Sequence, residues 1–307
     1  MKELNAEPYN KQGISGKDSD FKDYFAPISL KEAVELLERY APAVKVIAGG
    51  TDVLVDYFGR MYKIERWLDL KNIEELKKIE IKDEKVEIGA LVTHDELEKS
   101  EIIQRYFPVL RQAAWDVGSP QIRNMGTIGG NIVTSSPAGD LLAPLMAYDA
   151  YFVLTSTDGD RRVRAKEFFV GPKKNVLRKD ELVTKIVIPI PSKNTYGKWI
   201  KVGKRKALII SSITLALVIS LNNKGLVEKA KCCLGSVAPT PFEVEEFNSL
   251  MVGKKMEELN YEELANVVSK SISPIDDIRG TKEYRKDVAK NLTISALKEI
   301  ERMVRVD

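Results

Sequence analysis

Ile47-Ala48-Gly49-Gly50-Thr51-Asp52 and, further along, Thr127-Ile128-Gly129-Gly130-Asn131 are the stretches on which the reading of this sequence turns. Before the first, Val44-Lys45-Val46-Ile47-Ala48 is a short apolar run expected as a buried strand. After it, Val53 and Leu54 open a segment that reads as a helix, giving a strand, a glycine turn and a helix. Paired glycines let a bulky anion approach the backbone, because no Cβ shields the N–H groups. Successive exposed N–H groups form an anion-binding concavity, and a following helix start adds a favourable dipole. Thr51, Thr127 and Asn131 could add side-chain hydrogen bonds to phosphate oxygens. Neither stretch is a Walker loop or a Gly-x-Gly-x-x-Gly fingerprint. Taken singly, each is an ordinary tight turn. Taken together, they suggest one long diphosphate ligand gripped from two sides.

Thr134-Ser135-Ser136-Pro137-Ala138-Gly139-Asp140 follows the second stretch. An aspartate in such a turn usually bonds its own backbone. In the ligand reading, Asp140 accepts a hydrogen bond from the ribose or adenine end.

Composition narrows the function classes. The 307 residues are 44% hydrophobic and 30% charged, ordinary for a folded protein and long enough for two or three compact units. A net charge of +3 supplies no nucleic-acid footprint. The densest basic cluster, Lys201-Val202-Gly203-Lys204-Arg205-Lys206, reads as a solvated turn or an anion contact. The apolar stretch Ala207 to Leu221 is interrupted by Ser211, Ser212, Thr214 and Ser220, and no membrane insertion is expected. The polar first 20 residues lack a signal-peptide core. With Cys232 and Cys233 adjacent and alone, a disulfide framework is excluded and a reducing, cytoplasmic setting fits best. Two cysteines and the lone His94 cannot build an iron–sulfur or zinc site, so no metal centre is expected in this chain. His94 itself reads as an exposed first-turn residue in a capping box formed by Thr93 and Glu96. Any redox chemistry here must use an organic cofactor.

Residues 1–20 have no hydrophobic period and read as a flexible tail. Ser29 and Glu32 frame another capping box ahead of an apolar helical stripe that ends near Tyr40. Hairpins are expected for Ile79–Ile81 with Lys85–Ile88, and for Tyr151–Thr155 with Arg161–Arg164 around Asp158-Gly159. Leu182–Ile188 reads as a strand closing this region at Pro189-Ile190-Pro191, the main boundary. Beyond it, Ile213–Leu221 and Val227–Gly235 flank Asn222-Asn223-Lys224-Gly225 as a third hairpin, and helices dominate from Phe242. The expected architecture is α+β with largely antiparallel sheets. A two-subdomain unit spans 21–191, divided near 78, and a C-terminal α+β unit with a small antiparallel sheet spans 195–307.

The first glycine stretch, then Gln121-Ile122-Arg123-Asn124-Met125-Gly126-Thr127-Ile128-Gly129-Gly130-Asn131 and Ser136-Pro137-Ala138-Gly139-Asp140, resembles the FAD-binding medium subunit of molybdenum hydroxylases. That family includes the flavin subunits of xanthine, nicotinate and carbon monoxide dehydrogenases. The resemblance extends from Phe25 to Ile300 and takes in Gly280-Thr281-Lys282-Glu283-Tyr284-Arg285. It implies the xanthine-dehydrogenase or vanillyl-alcohol-oxidase type of FAD-binding fold. It further implies that Val46, Ile47, Ala48, Gly49, Gly50, Thr51, Asp52, Val53 and Leu54 wrap the FAD diphosphate on one side. Thr127, Ile128, Gly129, Gly130 and Asn131 would hold it from the other, with Asp140 at the adenosine end. Val183 and Lys201 match positions that line the flavin, and Trp199 falls either against the ring or in the core. Where relatives often carry an acidic residue after the basic cluster, this chain has Ala207-Leu208-Ile209-Ile210-Ser211, which favours the xanthine and nicotinate branch.

The resemblance also implies an oxidoreductase, a heterotrimer repeated twice. This chain would carry FAD, an iron–sulfur small subunit the [2Fe–2S] clusters, and a large subunit the molybdenum cofactor. Electrons would pass from the clusters through this chain to an acceptor such as NAD. Two alternatives remain at this stage: a stand-alone flavin oxidoreductase on a small substrate, and a flavin-free scaffold module.

Overall fold

The computed structural model describes residues 22–59, 61, 64–205 and 210–306. The expected N-terminal tail, and Lys206 to Ile209 of the basic and apolar segments, lie outside the described residues.

The first unit is a three-stranded sheet in which Arg66–Asp69 lies between Asp23–Phe25 and Val44–Ile47, parallel to both. The other sheets are antiparallel, so the expectation of largely antiparallel sheets holds, with this short parallel sheet as the exception. The outer strands have only three and four residues, too few for alternation to show in the sequence. Helix Leu30–Tyr40 covers the sheet. The Ser29 hydroxyl caps it by accepting from the Glu32 N–H, and its buried face is Ala33, Val34, Leu36 and Leu37. These side chains pack with Leu68, Leu70 and Ile73 into a small core that also includes Leu182.

The second unit is a five-stranded antiparallel sheet in the order Ile79–Lys82, Lys85–Gly89, Leu182–Pro189, Tyr151–Ser156, Gly159–Arg164. Both expected hairpins form. Asp83 and Glu84 have φ of 48° and 57°, the left-handed pair that a tight two-residue hairpin turn demands. Leu182–Pro189 sits at the centre of the sheet. Its near-continuous burial explains why its sequence lacks the alternation of the outer strands. Helices Pro108–Trp115, Ile128–Thr134 and Leu142–Ala147 contribute to the core beside this sheet.

The third unit is a four-stranded antiparallel sheet, Thr195–Val202, Ile213–Leu221, Val227–Gly235 and the two-residue Phe242–Glu243, backed by helices Tyr261–Ser271 and Lys282–Val306. Its two central strands are largely buried on both faces. One side packs on its own helices, while Trp199, Ala216, Val218 and Cys233 join the core of the second unit. The C-terminal motif explains part of that docking. Arg285 is fully buried, donating to the Ser236 carbonyl at 2.8 Å and to Asp277. The Ser236 N–H in turn donates to the Pro137 carbonyl at 2.8 Å, just ahead of Asp140. Among the described residues no helix is long and apolar enough to cross a membrane.

Candidate functional site

The two glycine stretches meet. A Cβ on Gly49 would lie 1.7 Å from the Met125 carbonyl oxygen and 3.1 Å from the Gly126 Cα, so the two backbones are in direct contact there. Only glycine allows that approach. At the opposite end, the Thr134 hydroxyl donates to Asp52 at 2.8 Å. Residues four apart share one face of a helix. Gly130 therefore lies one turn along the face whose Thr134 touches Asp52. The Gly49–Asp52 turn and the segment Met125–Thr134 are thus held side by side by contacts at two places, and the space between them is the candidate cleft.

The first wall has donors to offer. Among the described residues, the N–H groups of Gly49, Gly50, Thr51 and Asp52 have no hydrogen-bond acceptor. Gly50 adopts φ 75°, a left-handed conformation that turns successive N–H groups toward one side. Val46 through Ala48 lead in as the half-buried end of the strand, where Val46 and Ala48 pack against the first core. Val53 and Leu54 begin a helix of six residues, Val53–Phe58, where the sequence led one to expect a helix.

The second wall differs from expectation. Its N–H groups are not exposed: Ile128 donates to Val92, Gly129 to Ala90 and Asn131 to Thr127 carbonyls, at 2.9, 2.9 and 3.0 Å. The Gly130 N–H donates to the Thr127 hydroxyl at 3.1 Å, so Thr127 is the helix N-cap. The reason is packing, since Gly129 lies directly on Ala90, where a Cβ would sit 2.7 Å from the Ala90 carbonyl oxygen. This wall therefore presents a bare glycine face and side chains rather than a nest of N–H groups. The buried Asn131 Oδ1 has no partner in the protein. At Gly130 an added Cβ would meet one non-neighbouring atom, Thr127 Oγ1 at 3.0 Å. A glycine inside a helix costs about 1 kcal/mol relative to alanine. Packing within the protein does not require glycine at 130, whereas it does at 49 and 129.

Val183 connects to this wall through its neighbour. The Thr184 carbonyl accepts from the Ala90 N–H at 3.0 Å, and Ala90 in turn accepts from Gly129. Val183 is buried.

Asp140, Lys201 and Trp199 form a second cluster. The Lys201 ammonium donates to Asp140 Oδ2 at 2.7 Å and to the Asp116 carbonyl at 2.8 Å. Its side chain is 7% exposed, so the solvated turn expected for this lysine is wrong. It belongs to a strand whose alternate residues face the second unit. Burial raises the Asp140 carboxyl to about 6, against the opposing pull of Lys201. Asp140 Oδ1 is buried without a partner, and it is the atom left to accept from a ligand. Trp199 is 4% exposed and part of the core, with its indole N–H donating to Asp116 Oδ2 at 2.8 Å.

His94 is also corrected. The capping box of Thr93 and Glu96 is present, yet the ring is 3% exposed and turned inward against Gly126. Burial, with the nearby Arg123 charge, lowers it to about 4. Its backbone N–H donates to the Gly126 carbonyl at 3.0 Å, and Thr93 bridges Thr127. His94 therefore supports the second wall from behind. Asp116 and Ala90 carry no sequence signal, and only the folded chain brings them to the site.

A separate concavity of about 410 Å³, lined by Tyr148, Pro191, Ser220, Lys229 and Lys231, lies between the second and third units. Both lysines are already paired, with Asp149 and Glu243, and the remaining charged lining residue, Glu228, is acidic, so the concavity offers no unpaired cation to an anionic ligand. The glycine cleft is the stronger candidate because it alone combines free N–H groups with a bare glycine face.

Residues 19–191 match the model of the FAD binding domain in molybdopterin dehydrogenase, and residues 198–300 that of the CO dehydrogenase flavoprotein C-terminal domain. The nicotinate dehydrogenase FAD-subunit of Eubacterium barkeri is 32% identical over 289 residues, covering 91% of this chain and 97% of that protein. The glyceraldehyde dehydrogenase medium chain of Sulfolobus acidocaldarius is 33% identical, covering 90% and 97%. A solved structure of carbon monoxide dehydrogenase from Hydrogenophaga pseudoflava superposes with a TM-score of 0.86 at 32% identity, covering 91% of this chain and 96% of that one.

Proposed function

The chain belongs to the family of FAD-binding medium subunits of the molybdenum hydroxylases, and from that premise we propose that it stands between the iron–sulfur centres of a partner and a terminal acceptor such as NAD. Its relatives are the flavin subunits of oxidoreductase complexes. The partners of this reading are an iron–sulfur small subunit and a molybdenum large subunit, in a cytoplasmic complex. Residues 21–191 form the FAD-binding unit and residues 195–307 the flavoprotein C-terminal unit.

The observation that carries the reading is the cleft between Gly49–Asp52, with its four free N–H groups, and the helix face of Gly130 and Asn131. Bound FAD supplies the one- and two-electron redox capacity that no side chain has. The residues of this chain have simpler tasks. Gly49, Gly50, Thr51 and Asp52 would donate backbone N–H groups to the diphosphate, replacing its water. Gly130 leaves room for close approach, and the Asn131 side-chain NH2 would donate to the phosphates from the second side. Asp140 Oδ1 would accept from a hydroxyl or amine of the ligand. Lys201, held by Asp140 and Asp116, keeps a positive charge in the buried cluster. Val46 through Ala48, Val53, Leu54, Thr127 and Val183 shape the walls.

The test is recovery of the native complex on a tagged copy of this chain, with its flavin, iron and molybdenum measured after denaturation. One FAD per chain, with iron and molybdenum on co-purifying subunits, is the expected result. A native complex that releases no FAD overturns the proposal.

A further inference from the structure

Asp116 is half-buried at the end of helix Pro108–Trp115 and belongs to neither glycine stretch. Both of its acceptors reach across to one strand of the third unit. Its carboxylate takes the indole N–H of Trp199 at 2.8 Å, and its carbonyl takes the ammonium of Lys201 at 2.8 Å. Residues two apart on a strand share a face. Gly197, Trp199 and Lys201 therefore all face this helix, and Gly197 fits so closely that a Cβ would lie 2.5 Å from Val109 Cγ2. The loop holding Asp116 is itself fixed. Arg123 stacks on Trp115 at 4.6 Å and donates to the Val117 carbonyl at 3.3 Å.

We propose that Asp116 is a positioning residue for the flavin pocket, clamping Trp199 and Lys201 of the C-terminal unit onto the FAD-binding unit. This rests on the FAD reading above. Without the carboxylate, a buried indole N–H loses its acceptor, and a hydrogen bond to a charged group is among the stronger ones a protein makes. The strand then shifts, and with it the Lys201 ammonium and the Asp140 carboxylate it holds. Removing Asp116 therefore acts on a ligand that Asp116 does not itself touch.

The experiment uses the native complex carrying Asp116→Ala, Asp116→Asn or Trp199→Phe. Readouts are the FAD dissociation constant, the visible circular dichroism of bound flavin and its midpoint potential. Asp116→Ala should weaken FAD at least about tenfold, change the dichroism and move the potential to more negative values as Lys201 loosens. Asp116→Asn keeps an amide oxygen able to accept the indole N–H, so it should recover most of the loss. Trp199→Phe should reproduce the alanine effect, and the double variant should be no worse than either single one. If Asp116→Ala fails to assemble, Trp199→Phe and Asp116→Asn decide the matter by the same readouts. Wild-type affinity, dichroism and potential in either disruptive variant would overturn the inference. A wild-type complex without FAD would instead overturn the reading on which it rests.

Discussion

Replacing Gly130 by valine should separate the needs of the fold from those of the ligand. Glycine within a helix is about 1 kcal/mol worse than alanine, and valine roughly 0.6 kcal/mol worse. The change therefore returns a few tenths of a kcal/mol to the helix Ile128–Thr134. Against this stands the contact of the new Cβ with Thr127 Oγ1 at 3.0 Å, with no other non-neighbouring atom within 4 Å. The flavin-free chain should keep its stability to within about 1 kcal/mol. The isopropyl group would, however, occupy the open side of the cleft and hold a diphosphate away from the N–H groups of Gly49 to Asp52. Each hydrogen bond to a charged group contributes about 1.5–3 kcal/mol, so losing two costs at least about 3 kcal/mol. That is a loss of more than about a hundredfold in FAD affinity. The assay is acid-released flavin per chain in the purified complex, beside the thermal midpoint of the flavin-free chain. Stoichiometric FAD at unchanged affinity would refute the site. Collapse of the flavin-free chain would refute the claim that glycine at 130 serves the ligand alone.

Gly49→Ala should behave in the opposite way, because its Cβ would fall 1.7 Å from a backbone oxygen that cannot rotate aside. The flavin-free chain should lose about 3 kcal/mol or more in urea unfolding, and near-wild-type stability would contradict the backbone contact. Arg285→Met removes the bond to the Ser236 carbonyl and the pair with Asp277. Denaturation should show a loss of about 3 kcal/mol or more, and a loss below 1 kcal/mol would deny Arg285 its role in docking the third unit. His94 is lowered to about 4 from an ordinary 6.5, so the unfolded chain binds its proton first as the pH falls. Its contribution is complete above pH 6.5 and shrinks toward pH 4 by about 3 kcal/mol. His94→Gln should flatten the fall in thermal midpoint across that window, and an unchanged slope would show that His94 is not the group responsible.

Much of the fold was legible where local chemistry was strong. The Asp83-Glu84 and Asp158-Gly159 turns, the caps at Ser29 and Thr93, and the strands Ile213–Leu221 and Val227–Gly235 all follow from turn residues and apolar runs. Strand Thr195–Val202 did not show itself. Lysines at 198 and 201 break its apolar pattern, and tertiary partners rather than solvent receive them: Glu299 for Lys198, and Asp140 with Asp116 for Lys201. The parallel sheet around Arg66–Asp69 was hidden because its strands are too short to carry a period. In the site, the glycine pairs were legible as close-approach positions. Which ones serve the protein was not, because Gly49 meets Met125 and Gly129 meets Ala90 only in the folded chain. The same is true of His94, whose first-turn position suggested solvent until Gly126 packed over its ring. Asp116 announces nothing in sequence, since its role depends on two residues more than 80 positions away.

The decisive measurement is a cryo-electron-microscopy map of the native complex at a resolution that shows the flavin. Its diphosphate should lie against the Gly49 to Asp52 backbone, with the Gly130 and Asn131 face of the helix opposite. A flavin whose phosphates sit elsewhere on this chain, or a cleft filled by side chains alone, would contradict the assignment.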